Sequence, residues 1–449
     1  MATRKQAGLT KILATFIHET TYDGLPENIK EIAKTRILES LSSSYWCHDL
    51  PTTRTAVRIA KNYPGISTIW GYDLKAALPY AVMANCVSSH SILMEDGDGA
   101  GGHPSTMVVP TALGIGEQEG ASGKETLVAI IVGYELMARI GRSVQPLAMT
   151  AFRGGPTWGT FGCAAAAGRL MKLSVDQLSH ALGYAASLAP SVPQECWWGA
   201  TMEAQFEPGW SARTGIESAV LAKGGAITAP YVLEGRHGFL RCWAGNTDGA
   251  DFLTRDLGKT FAISSIYIKP YPSCGANQYP IRVAFSLAKH GLKPKDIAKV
   301  IQKSRPGGYA YGGSNYPGPF TKVFQARMSR QWSIAAAILG RPVEDPIFAE
   351  EHDNDPEVGE IAKKIELVGE WGRTKPRTEV YCYDGRVFTA EEEVPCTEPH
   401  VPTNITEKME KKIMKLASAR LGEKKVRQII DIAKKLDRVN DVRELTGNL

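Results

Sequence analysis

Apolar residues recur every third and fourth position through most of the first 265 residues. LTKILATFIHETT, ENIKEIAKTRILESLSSSYW, KETLVAIIVGYELMARIGRSV, GTFGCAAAAGRLMKL and TGIESAVLAKGGA all carry this spacing. A period near 3.6 predicts short amphipathic helices joined by Gly/Pro turns from about residue 8 to 265. Alanine-rich runs among them predict close helix packing, since small side chains let helix axes approach. In LSVDQLSHALGYAASLA, Ser174 and Asp176 predict a helix start with an acidic first turn.

Near residue 262 the pattern changes. ISSIYIKPYP alternates and is rich in Ile and Tyr, and KKIELVGE, RTEVYCY and GRVFTAEEEV read as strands, the last two flanking the turn YDGR. QYPIRVAFSLAKH and MSRQWSIAAAILG between them read as helices. From TEKMEKKIMKLASARL to DVREL the chain is helical again. These readings predict a mainly α protein: a large helical unit from residues 1–266, a smaller α+β unit over 267–399, and C-terminal helices over 400–449 that return to the first unit.

Composition narrows the function classes. The 449 residues are 43% apolar and 22% charged, as in ordinary globular proteins, with ample length for a large core. Net charge is only +5, and the basic run from Lys408 to Lys435 reads as a solvated helix face, so no nucleic-acid partner is expected. No run approaches the roughly 20 apolar residues of a membrane span. Eight dispersed cysteines without a CxxC pair suggest buried, reduced thiols in a cytoplasmic protein.

Two short stretches carry candidate chemistry. MEDGDGAGGHPS, residues 94–105, combines three carboxylates, glycines and one imidazole. It lacks the closing Glu of a calcium loop and the GxxxxGK[ST] pattern of a phosphate loop, and no HExxH occurs in the chain. What remains is a loop presenting His103, the side chain suited to move a proton near neutral pH. YIKPYPSCGANQYP, residues 267–280, places Lys269 at the boundary between the two units, where clefts are common. A lysine there can bind a carboxylate or, if desolvated, act as an acid or base.

These stretches, with HSILMEDGDGAGGHPS, GTFGCAAAAGRLMKLSVDQLSHALGYAASLA, RTGIESAVLAKGGAITAPYVLEGRHGFL and IKPYPSCGANQYPI in order, resemble the MmgE/PrpD family over nearly the whole chain. The resemblance implies a large all-helical domain built from both ends of the chain, an inserted α+β lid domain and a homodimer. It also implies lyase or isomerase chemistry on organic acids with no cofactor and no metal. By that resemblance His103 is the general acid or base, and Lys269 holds a carboxylate or stabilises an enolate by its charge. Asp96, grouped with them as catalytic, and Asp98 would orient His103 or take part directly.

Departures from the family pattern are equally informative. Leu93 stands where the family loop, close to HSxDFDD, has its first Asp, and Arg153 occupies a histidine position. Ala204 and Glu207 replace a lysine and a histidine, and Cys274 another histidine. A lost lysine and a gained glutamate would penalise a polycarboxylate in a cleft. The expected substrate is therefore an organic acid with fewer or differently placed carboxylates than methylcitrate or cis-aconitate, with Arg153 as a carboxylate anchor. Glu207, Cys274, Asp98, Gln194, Tyr309 and Tyr311 complete the expected substrate-binding set, Trp197 and Trp198 lie near it, and His90 reads as structural. The expected reaction is dehydration; epimerisation and decarboxylation share its proton chemistry, and a catalytically inactive, ligand-binding homologue is the reading from a different class.

Overall fold

The computed structural model describes residues 8–100, 102–144, 152–306, 312–392 and 404–449. The fold is mostly helical with a small mixed sheet. Helices α1 (Leu9–Glu19), α2 (Glu27–Trp46), α3 (Leu78–His90), α4 (Pro104–Glu119), α5 (Gly123–Ser143), α6 (Gly154–Leu170), α7 (Val175–Leu188) and α8 (Glu203–Lys223) follow the predicted periodicity. Ser174 begins α7 with a capping box: its hydroxyl accepts from the Gln177 amide at 3.2 Å, and the Gln177 side chain accepts from the Ser174 amide at 3.0 Å. The Ala-rich α6 is buried nearly throughout, as close packing of small residues requires.

One hydrophobic cluster draws on residues from Leu13 to Ile266 and again from Ile405 to Leu445. The later residues lie mainly on α12 (Ile405–Leu421) and α13 (Glu423–Lys434). A second cluster runs from Ile281 to Cys382 and packs under a four-stranded sheet. Its strands are β1 (Ile297–Ser304), β2 (Ile365–Gly369), β3 (Arg377–Cys382) and β4 (Val387–Glu391), in the order β2-β1-β3-β4. β1 is parallel to β2 and antiparallel to β3, and β3 pairs antiparallel with β4 through the expected turn at Gly385. With α9 (Gln278–Phe285), α10 (Arg330–Ile338) and α11 (Pro356–Ala362) the sheet completes the α+β part.

Two expectations are corrected. ISSIYIKPYP is no regular strand: Ala262–Ser264 is a 3-10 turn, and Tyr267 forms only an isolated bridge to Gly97. The buried Arg36 side chain donates to the carbonyls of Ile263 and Ile266, at 3.1 and 2.7 Å, so those groups are satisfied without a ladder. Pro270 and Pro272 also lack the donors that a ladder needs. Conversely, IAKVIQKS forms the central strand β1, which the reading above lacks. Six of the seven described cysteines are buried, and no helix among the described residues is long and apolar enough to cross a membrane.

Candidate active site

The two motif stretches meet through a short antiparallel pairing. The Gly97 amide donates to the Tyr267 carbonyl at 2.9 Å, and the Tyr267 amide donates back at 3.0 Å. In an antiparallel register, pairing 97 with 267 sets residue 95 opposite 269. The result is a buried ion pair, Lys269 Nζ to Glu95 Oε1 at 2.7 Å, with both side chains at most 1% exposed. Gly97 is required because the Tyr267 ring crosses its α-carbon; an added methyl would lie 2.5 Å from Tyr267 Cζ. Gly97→Ala is expected to shift Glu95 off Lys269 and to cost about 10²-fold in turnover with the chain still folded, measured by kinetics beside circular dichroism. Wild-type turnover would mean the register is not what builds the site.

Glu95 gathers two imidazoles as well as the ammonium. His90 Nδ1 and His103 Nδ1 each lie 3.3 Å from its Oε1, and the two rings are 5.1 Å apart. His103, the residue before α4, is fixed by a second contact from Nδ1 to the Asp96 carbonyl at 2.9 Å. A carbonyl only accepts, so Nδ1 carries the proton and Nε2 is left as the basic nitrogen. Burial, reinforced by the Lys269 charge, holds the His103 imidazole well below its ordinary range, hence neutral and basic at pH 7. His90 is lowered too, first by burial. Burial would raise the Glu95 carboxyl, but Lys269 and the imidazoles outweigh it and keep Glu95 well below the usual carboxylate range.

Beside this group lies a second buried pair. Arg153 Nε approaches Glu207 Oε2 at 3.6 Å, and its guanidinium stacks over Trp197 at 4.5 Å. Glu207 Oε1 accepts from Cys196 Sγ at 3.1 Å and from Trp197 Nε1 at 3.2 Å. Burial dominates, only partly offset by Arg153, and the Glu207 carboxyl is pushed up to about 7. An unfolded glutamate ionises near 4.5, so the folded state binds more protons between 4.5 and about 7 and loses stability as pH rises through that window. The whole loss is on the order of 3 kcal/mol. Glu207→Gln should remove this slope, so the stability difference between variant and wild type in urea should grow from about pH 5 to pH 8. A pH-independent difference would mean that Glu207 ionises normally.

Of the expected residues, His103 and Lys269 come together through Glu95, and Arg153 and Glu207 through each other. The Asp96 carboxylate instead accepts from the Ser105 amide at 3.0 Å and the Tyr134 hydroxyl at 2.8 Å, and faces Arg36 at 3.7 Å. Its link to His103 is the backbone carbonyl, so Asp96 pins the loop and reaches the imidazole only indirectly. Asp98 turns to Arg142 at 2.9 Å, and Gln194 donates to the Phe152 carbonyl at 3.0 Å, beside Arg153. Cys274 is buried in an apolar cluster with Leu93, Trp197 and Ala204. Tyr309 and Tyr311 lie outside the described residues, though Gly313, which follows, approaches the Trp197 carbonyl so closely that an added methyl would lie 2.6 Å from it.

Glu95, one of the three carboxylates of the loop, was not singled out in the sequence, and His90, expected to be structural, stands beside it. No local signal sets Glu95 apart, because its partner Lys269 is fixed by the long-range pairing of Gly97 with Tyr267. Among the described residues, no group of His, Cys, Asp and Glu is placed to hold a metal ion.

Comparison with known proteins puts the chain among the lyases. The MmgE/PrpD N-terminal domain matches residues 11–250 and the MmgE/PrpD C-terminal domain matches residues 271–438, so this protein belongs to the MmgE/PrpD family. It is 28% identical to the human cis-aconitate decarboxylase over 462 aligned positions, covering 98% of this chain and 94% of that protein. The Aspergillus terreus cis-aconitate decarboxylase is 24% identical, with 98% and 95% covered, and the mouse enzyme is 25% identical, with 98% and 92% covered.

Proposed function

We propose that this chain is a cofactor-independent lyase that moves a proton next to the carboxylate of an organic acid other than methylcitrate or cis-aconitate. The observation that carries the reading is the buried Glu95 that holds Lys269 and two imidazoles within 3.3 Å. In this reading His103 Nε2 takes the proton from the carbon beside the carboxylate, and the Lys269 charge stabilises the enolate that forms. The electron pair of the broken C–H bond becomes the C=C bond. The β-hydroxyl leaves with a proton returned by His103, as water. Decarboxylation is the second reading, favoured by the activity named for the relatives; there the C–C bond breaks, carbon dioxide leaves, and the electron pair left on carbon takes a solvent proton relayed by the His103 imidazole.

Two further elements belong to this proposal. Residues 267–399 act as a lid whose hinge carries Lys269, and the functional unit is a homodimer that covers the exposed Trp210, Val220 and Leu221 of α8. Incubation of the purified protein with hydroxy- and unsaturated mono-, di- and tricarboxylic acids, read by mass spectrometry, tests the reaction. Loss of water supports dehydration and loss of carbon dioxide supports decarboxylation. Efficient turnover of methylcitrate or cis-aconitate would overturn the substrate reading.

A further inference from the structure

The basic run of the C-terminal helices contains a lysine that is turned inward. Lys411 on α12 is 75% exposed, whereas the side chain of its neighbour Lys412 is only 8% exposed. Lys412 Nζ lies 2.6 Å from Oε1 of Glu39, a fully buried carboxylate on α2, and it also donates to the Met94 carbonyl. One turn further along α12, Leu416 shares a small apolar cluster with Met94, Ile92 and Cys47. The C-terminal helix thus holds Met94 by its backbone and by its side chain.

The Met94 carbonyl lies in the same peptide plane as the Glu95 amide, so holding that oxygen fixes the backbone from which the Glu95 side chain starts. On the other side of Glu95, the Asp96 carboxylate is held by Ser105, Tyr134 and Arg36. Helix α2 serves both holds, because Arg36 stands one turn before Glu39. A buried ion pair is weak evidence for stability, and an apolar pair would hold α12 against α2 as well. What Lys412 adds is a donor aimed at one carbonyl of the catalytic loop.

We infer that Lys412 is a positioning residue, which by holding the Met94 carbonyl keeps Glu95 in register with Lys269 and His103. The inference rests on the acid/base reading of that group and extends it to the C-terminal helix, 318 positions away from Met94.

The test is the titration of His103, which needs no substrate. In the full chain with labelled histidine it is followed by NMR, the signal being assigned by its loss in His103→Ala. The charged and titratable groups around that imidazole are Glu95, His90, Lys269 and Arg153, so its midpoint reports the geometry of the whole group. Glu39→Gln with Lys412→Met removes both buried charges together and leaves the Leu416 contact, so the protein should still fold. The His103 midpoint should then rise towards the ordinary imidazole value of 6.5, as the loop loosens and the ring gains solvent. For any acid that wild type converts, kcat should fall about 10²-fold at unchanged KM. Lys412→Gln, one bond shorter than lysine, gives the same readouts should the double variant fail to fold. An unmoved or lowered midpoint, or an undiminished kcat, overturns the inference. A raised midpoint in a protein that exchanges no substrate proton would keep the role of Lys412 and refute the acid/base reading alone.

Discussion

His103→Ala is expected to lower turnover by about 10²–10⁴-fold while leaving stability close to wild type. The imidazole side chain is 12% exposed, against at most 1% for Glu95 and Lys269, so it is the more accessible member of the group. Its Nδ1 proton is committed to the Asp96 carbonyl, which leaves Nε2 as the basic nitrogen. Removing the ring breaks this one hydrogen bond and leaves the Glu95–Lys269 pair in place, so folding changes little. The pH profile distinguishes this role from a structural one. Because burial and Lys269 hold His103 neutral, it stays a competent base as pH falls through the ordinary imidazole value of 6.5, and the acid limb of activity lies below that. A limb at the ordinary value, or an alanine variant with wild-type turnover, would remove His103 from the chemistry.

Lys269→Met carries the second large effect. It leaves Glu95 fully buried as an anion with only neutral imidazoles for company. Breaking a buried pair from one side costs about 3–5 kcal/mol, since the remaining charge stays desolvated. The double variant Glu95→Gln with Lys269→Met removes both charges and is expected to regain most of that stability. Activity should be lost in both, because the enolate no longer meets a cation. Chemical denaturation of the two single variants and the double variant gives the coupling energy directly. Additive losses would mean that the two charges do not depend on each other.

The parts legible in the sequence are those whose causes are local. The 3.6 period located α2, α5 and α8, and the Ser174 cap appears as its residues suggest. Resemblance of GGHPS and IKPYP to family motifs singled out His103 and Lys269 without saying how they meet. Their meeting depends on two hydrogen bonds between Gly97 and Tyr267, 170 positions apart, which no local pattern encodes. Glu95 therefore looked like one acid among three, and Asp96 looked the more promising. The structure separates the two by facing one inward to Lys269 and the other to Tyr134 and Arg36. His90 was hidden for a similar reason. It closes a buried helix, and only the fold of the following loop brings Glu95 back against it. Leu93, Ala204 and Cys274 appeared in the sequence only as three scattered losses of polarity, and their meeting in one buried cluster is a property of the tertiary structure.

The most direct measurement is solvent deuterium incorporation. The wild-type protein and His103→Ala are incubated in deuterated water with the panel of organic acids, and deuterium in substrate and product is read by mass spectrometry. Incorporation at the carbon beside the carboxylate of the recovered hydroxy acid, through return of the enolate or rehydration of the product, by wild type and lost in the variant, is the predicted result. Equal incorporation by both proteins, or turnover that persists undiminished in His103→Ala, would contradict proton transfer by His103.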